Sequence, residues 1–135
     1  MYKRQAIERY KKLHAAIKQD LISSCHDCSD GGLGVALAET AFSGGLGMEI
    51  DLRKVPVEGL ERNDKILFSE TPSRFVVTIS PENKEKFENV IKTDFSCIGR
   101  VTKNPEFIVK GINGKIIINS NIEELKKAWK QTLAR

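Results

Sequence analysis

Apolar positions recur along this chain in two rhythms, and the switch between them marks out the elements. Ala6, Tyr10, Leu13 and Ile17 fall on one stripe with lysines and arginines opposite, which predicts an amphipathic helix over residues 4–20. Leu21-Ile22-Ser23-Ser24-Cys25 is short, apolar and β-branched enough for a strand. Leu33, Leu37 and Ala41 then recur at helical spacing with Ala36 and Ala38 alongside, predicting a tightly packed helix that Ser43-Gly44-Gly45 ends through a left-handed cap. Met48-Glu49-Ile50-Asp51-Leu52 alternates apolar and acidic residues, the mark of a strand with one wet face.

Pro56 and Gly59 break the chain into a connection, after which Asn63-Asp64 starts a short element through Ile66-Leu67-Phe68. A strand is expected over residues 75–79, followed by a helix that Ser80-Pro81 caps and that turns Phe87, Val90 and Ile91 inward. Residues 95–101 read as another strand, with Gly99 marking a bulge or close packing. The runs 107–110 and 115–118 flank Ile112-Asn113-Gly114, whose Asn-Gly pair signals a two-residue hairpin. Ser120-Asn121-Ile122-Glu123 is a capping box, and Ile122, Leu125, Trp129 and Leu133 form the stripe of a closing helix. Helices and strands in this order, with an antiparallel hairpin among them, predict a layered α/β domain with a mixed sheet.

The densest chemistry lies at His26-Asp27-Cys28-Ser29-Asp30-Gly31-Gly32-Leu33-Gly34, a strand-loop-helix corner. Ser29 or Asp30 is a natural N-cap there, and Gly31-Gly32 lets backbone amides approach a ligand with no Cβ in the way. Amides and a helix dipole suit an anion, while Asp27 and Asp30 could hold a metal ion bridging to phosphate. The same residues also read as a tight turn with a good cap. A second polar stretch, Ser69-Glu70-Thr71-Pro72-Ser73-Arg74, stands at the mouth of the strand over residues 75–79, where loops tend to carry function. Glu70 and Arg74 either face a ligand or pair with each other. The Gly-Gly-Leu-Gly echo at 31–34 and 44–47 is too short for an internal repeat.

Composition narrows this picture. With 135 residues, 40% hydrophobic and 30% charged, the chain is expected to form one domain over 1–135, the helix of residues 1–20 leading into 21–135. No apolar run approaches a membrane span, and Met1-Tyr2-Lys3-Arg4 opens a charged helix instead of a signal-peptide core, so a cytoplasmic location is expected. Three cysteines argue for reduced thiols. Cys25-His26-Asp27-Cys28 has C-x-x-C spacing without a second close pair and reads as buried small side chains rather than a metal-thiolate site. The net charge of +4 resides in residues 1–20, where Lys3, Arg4, Arg9, Lys11, Lys12 and Lys18 outnumber Glu8 and Asp20. Lacking interleaved aromatics beyond Tyr2 and Tyr10, that face reads as solvated rather than as a nucleic-acid surface. No Walker-type Gly-Lys-Ser/Thr and no complete G-x-G-x-x-G occurs.

The motifs from His26 to Leu33, Ala36-Leu37-Ala38-Glu39, Gly44-Gly45-Leu46-Gly47, Leu67-Phe68-Ser69-Glu70, Arg74-Phe75, Ile98-Gly99-Arg100-Val101 and the final Leu125-x-x-x-Trp129 form an ordered set. In that order they resemble the carboxy-terminal domain of phosphoribosylformylglycinamidine synthase, over about Ile22 to Leu133. The same domain type occurs in aminoimidazole ribonucleotide synthetase, selenophosphate synthetase and thiamine-monophosphate kinase. The resemblance implies three layers, helix, sheet and helix, partly like a ferredoxin-type arrangement. It implies a part in an enzyme that uses ATP, Mg²⁺ and glutamine-derived ammonia to convert formylglycinamide ribonucleotide to formylglycinamidine ribonucleotide in de novo purine synthesis. The expected partners are the remaining subdomains, a glutaminase subunit or domain and the ribonucleotide substrate, with neither nucleic acid nor membrane.

By the same resemblance Asp27 lines up with a magnesium-binding aspartate of the family's sister subdomain. Asp30, Gly31, Gly32, Glu70 and Arg74 become the expected substrate or phosphate contacts. The sister's Glu-Ser-Gln lines up with Glu70, Thr71 and Pro72, so only Glu70 is kept, as suits an auxiliary cleft. The family's catalytic histidine has no counterpart, and the domain alone is expected to be catalytically silent. A stand-alone regulatory or interaction module of the same fold, and a basic nucleic-acid binder led by residues 1–20, are the alternatives.

Overall fold

A helix rich in alanine and leucine can lie between two layers because its small side chains let both approach, and the segment after the Gly-Gly pair does so. In the computed structural model, which describes residues 2–59, 62–93 and 95–133, this helix is α2 (Gly32–Gly44), preceded by α1 (Tyr2–Lys18) and β1 (Ser24–Asp27). Leu33, Ala36, Leu37, Ala41 and Phe42 of α2 are buried. Gly45, at φ 67°, closes it with its N–H turned back toward the Ala41 and Phe42 carbonyls, the left-handed cap expected there. After it come β2 (Gly47–Asp51), α3 (Asn63–Phe68), β3 (Phe75–Thr78), α4 (Lys84–Ile91), β4 (Gly99–Thr102), β5 (Glu106–Lys110), β6 (Ile116–Asn121) and α5 (Ile122–Leu133).

Strands β1 and β3 pair antiparallel as a ribbon. The other four form a mixed sheet in the order β4-β2-β5-β6, with β2 parallel to β5 and the remaining pairs antiparallel. Alternation along β3 separates two cores. Val76 points into the large one, which α2 shares with Met48, Ile50, Phe107 and Val109 of the mixed sheet. Val77 turns the other way, toward a smaller core of Ala16, Leu21, Phe87 and Ile91 under α1 and α4. Helices on both faces of the ribbon give the helix-sheet-helix layering, and the mixed sheet packs beyond α2. Along β2 the predicted alternation holds: Met48 and Ile50 are buried, while Glu49 meets its cross-strand partner Arg100 at 2.7 Å.

Several local expectations shift because tertiary partners override them. β1 begins at Ser24, not Leu21, since its four residues pair one for one with β3. Leu21 instead ends α1: Asp20 takes φ 54° and the Leu21 N–H bonds the Ala16 carbonyl at 3.1 Å. β4 begins at Gly99, where a Cβ would overlap the Glu49 carbonyl oxygen, so the close-packing role of that glycine stands. Phe95 leaves the predicted strand to set its ring edge against Phe87 of α4 at 5.8 Å.

The β5-β6 turn is longer than two residues. Gly111 N–H bonds the Lys115 carbonyl, Gly114 N–H bonds the Gly111 carbonyl and only Gly114 has positive φ, at 78°, which is the pattern of a turn followed by a left-handed glycine. The cap of α5 is Asn121, whose Oδ1 accepts the Glu123 N–H at 2.9 Å, rather than Ser120. Ser80 makes no side-chain cap, and a 3₁₀ turn over Pro81–Asn83 leads into α4. In the closing stripe Ile122 is buried and Trp129 packs on Phe42, whereas the side chains of Leu133 and Tyr2 lie outside the described residues.

Leu37 is 1% exposed at the centre of α2. Leu37→Ala should therefore lower unfolding free energy by about 2–5 kcal/mol in urea, while Ile7→Ala, 50% exposed on α1, should stay within about 0.5 kcal/mol of the parent.

Candidate functional site

The corner between β1 and α2 is built by close backbone approach. Gly31 and Gly32 have φ of 82° and 65°, values that non-glycine residues rarely adopt. A Cβ on Gly32 would stand 2.8 Å from the Phe68 carbonyl carbon and 2.8 Å from the Ser69 carbonyl oxygen. Glycine is thus needed where α2 begins because the end of α3 lies against it. Helix α2 starts behind Gly31 with no side-chain cap, so neither Ser29 nor Asp30 fills the N-cap role.

The amides of the turn are engaged within the chain. Gly32 N–H bonds the Ser29 carbonyl at 2.9 Å, and Gly31 N–H bonds Glu70 Oε1 at 2.9 Å. The expected offering of both amides to a phosphate is corrected accordingly: a carboxylate of the 69–74 loop sits on the first and a backbone carbonyl on the second. Cys28 N–H meets the Arg74 carbonyl at 2.9 Å, which brings the loop along the turn.

Side by side, the two segments border an open crevice of about 520 Å³ lined by Asp27, Asp30, Glu70 and Arg74, with Tyr10, Ser73 and Phe75 among its other walls. Four of the expected site residues therefore meet, while Gly31 and Gly32 lie behind the lining. Among the described residues Glu70 does not pair with Arg74, and neither Arg74 nor Asp30 makes an ion pair. Three carboxylates and one guanidinium thus face the same space without neutralising one another.

The hydrogen bond from His26 holds the Asp27 carboxyl below the ordinary range. Among the described residues no group of three or more metal-ligating side chains gathers. Mg²⁺ is commonly held by one or two carboxylates with water and substrate phosphates completing its shell, and Asp27 with Asp30 fits that partial set.

Sequence reasoning missed what stands behind Asp27. His26 points to the α2 side of the ribbon, with Nε2 2.5 Å from Glu39 Oε2 and Nδ1 3.3 Å from Asp27 Oδ1. Glu39 Oε1 accepts the Trp129 indole N–H at 2.9 Å. The chain Asp27-His26-Glu39-Trp129 joins β1, α2 and α5, and the Glu39 bond raises the His26 pKa above its ordinary value. Glu39 stood out in the sequence only as part of the helical Ala36-Leu37-Ala38-Glu39 motif, which does not name a partner thirteen residues before it or on another helix. Of the C-x-x-C pair Cys28 is buried as expected, whereas Cys25 is exposed because alternation along β1 turns it outward; desolvation pushes both thiols above the usual range.

Fold and site together define the class: a layered α/β domain with an acidic crevice at a strand-helix corner. The chain belongs to the family described as AIR synthase related protein, C-terminal domain, whose model matches residues 3–112. The resemblance drawn from the motifs is thereby borne out. Phosphoribosylformylglycinamidine synthase subunit PurL of Limosilactobacillus reuteri is 42% identical over 123 residues, which cover 91% of this chain. The same subunit of Lactobacillus helveticus is 39% identical over an equal stretch. The chain spans about 15% of the length of these curated relatives.

Among solved structures, Thermotoga maritima PurL complexed with ADP superposes with a TM-score of 0.78 at 22% identity, over 87% of this chain and 21% of that one. Hydrogenase maturation protein HypE superposes with a TM-score of 0.69 at 16% identity, over 84% of this chain and 41% of that one. At these identities the likeness is one of fold. No described helix is long and apolar enough to cross a membrane.

The His26-Glu39 bond has a stated sign in pH. Because the folded-state pKa of His26 lies above its ordinary value, the bond's contribution is fully present below about pH 6.5 and disappears as pH rises through the folded pKa. The melting-temperature advantage of the parent over Glu39→Gln should therefore be larger at about pH 5.5 than at about pH 8.5. Thermal unfolding by circular dichroism at both values reads it, and an equal advantage would rule the linkage out.

Proposed function

We propose that this chain is the C-terminal nucleotide-cleft domain of a phosphoribosylformylglycinamidine synthase of the PurL type, folding as one domain over residues 1–135. In the complete enzyme the amide oxygen of formylglycinamide ribonucleotide takes a phosphoryl group from ATP. Glutamine-derived ammonia then attacks the carbon that bears the phosphorylated oxygen, and the C–O bond breaks as phosphate leaves, giving formylglycinamidine ribonucleotide. The observation that carries this reading is the convergence of Asp27, Asp30, Glu70 and Arg74, mutually unneutralised, on one open crevice within the family-matched stretch. Such a wall suits a phosphorylated ligand whose negative charge is partly balanced by a cation.

In this reading Asp27, with Asp30 beside it, would hold Mg²⁺, which would supply charge neutralisation at the phosphates. Arg74 would contact a phosphate oxygen directly, as a guanidinium does well. Glu70 would keep the Gly31-Gly32 turn in place through its bond to the Gly31 amide. The rest of the cleft comes from the missing subdomains, with the glutaminase subunit or domain supplying ammonia. A cytoplasmic setting follows from that pathway. The chain contributes no catalytic residue of its own and is inactive alone.

Isothermal titration tests the reading. Mg-ATP should bind the isolated chain more weakly than about 1 μM and bind tightly once the remaining subdomains are added, with Asp27→Asn weakening the assembled site by about tenfold or more. Submicromolar binding by the chain alone would show that the site is not half of a shared cleft.

A further inference from the structure

Arg74 and Glu70 reach the crevice only if the loop between α3 and β3 keeps its path, and that path passes through an unfavourable backbone conformation. Ser73 stands at φ 64°, directly after Pro72, in a turn whose left-handed position favours glycine. Something must compensate a serine there. Its hydroxyl is 2.8 Å from the Tyr10 hydroxyl, and the Arg9 guanidinium donates to its carbonyl at 3.4 Å. Both partners belong to α1. A glycine at this position would relieve the backbone but carry no hydroxyl for Tyr10 to meet.

We propose that Tyr10 is a positioning residue of the crevice: its hydroxyl straps Ser73 to α1 and so holds the 69–74 loop against the 28–31 turn. The Tyr10 ring is set edge-on against Phe75 at 5.8 Å, which fixes the direction of the hydroxyl. From Ser73 the constraint runs both ways along a short, proline-containing loop. On one side the Arg74 carbonyl accepts the Cys28 N–H; on the other the Glu70 carboxylate accepts the Gly31 N–H. Helix α1 is thus a third wall of the crevice, and Arg9 adds a bond to the loop backbone. The value of this strap to ligand binding rests on the cleft reading given above; the strap itself does not.

Amide exchange of the full chain, followed by NMR without ligand, tests it. Tyr10→Phe keeps the ring on Phe75 and removes only the hydroxyl, so the fold should persist. Exchange at the Gly31 amide, alone or together with Cys28, should quicken by roughly two- to tenfold, the factor that one modest hydrogen bond commands. Amides of the central strands, such as Met48 and Val109, should keep their rates. Unchanged exchange at Gly31, or an equal acceleration throughout the molecule, would overturn the proposal. Since no ligand enters this measurement, a failure of the cleft reading appears separately, in the Mg-ATP titration.

Discussion

The start of α2 lies against the backbone at the end of α3, and that approach fixes everything the crevice needs. Only a residue without a Cβ can stand at position 32, because the Phe68 and Ser69 carbonyl groups occupy the space a side chain would take. Gly34 continues the contact one step on, 3.2 Å from the Phe68 ring by its would-be Cβ. With the two backbones in register, residue 70 emerges beside residue 31, and the Glu70 carboxylate reaches the Gly31 amide. The β1-β3 ribbon closes the arrangement from behind by pairing Asp27 with Phe75. Local geometry at one glycine thus sets which two loops share a wall.

The crevice wall carries charges of both signs. Two carboxylates outside it are paired: Arg53 holds the Asp51 carboxyl down to about 2, and Arg100 pairs with Glu49. In the crevice, among the described residues, Arg74 and Asp30 make no ion pair although opposite charges line the same space. A surface that left such charges apart would gain little as a stability device, since exposed ion pairs contribute only modestly. In the proposed function that separation serves a ligand that carries both a cation and an anion.

Much of this was legible in the sequence, for identifiable reasons. α2 and β2 carry strong periods, and the residues those periods name are buried; the α1 stripe is corrected, since Tyr10 and Ile17 are exposed and Ala16 is the residue that α1 buries in the smaller core. Asp27, Asp30, Glu70 and Arg74 were visible as polar residues at strand and helix ends, and they do converge. The errors share a cause. β1 and β4 are placed by their ladder partners rather than by the longest apolar run, so their bounds moved. Gly31-Gly32 announced a close approach without saying what approaches; the neighbour is this chain's own backbone and the Glu70 carboxylate. His26, Glu39 and Trp129 come from distant stretches, and no spacing rule joins them.

Replacing Gly32 by alanine probes the contact at the root of this arrangement. A methyl group there meets backbone on two sides at positive φ, so urea unfolding of Gly32→Ala should show a loss of more than about 2 kcal/mol. Gly44, with nothing within 4 Å of its would-be Cβ, supplies the control, and Gly44→Ala should be neutral or slightly stabilising. A Gly32→Ala protein within about 0.5 kcal/mol of the parent would contradict the claim that this backbone approach organises the site.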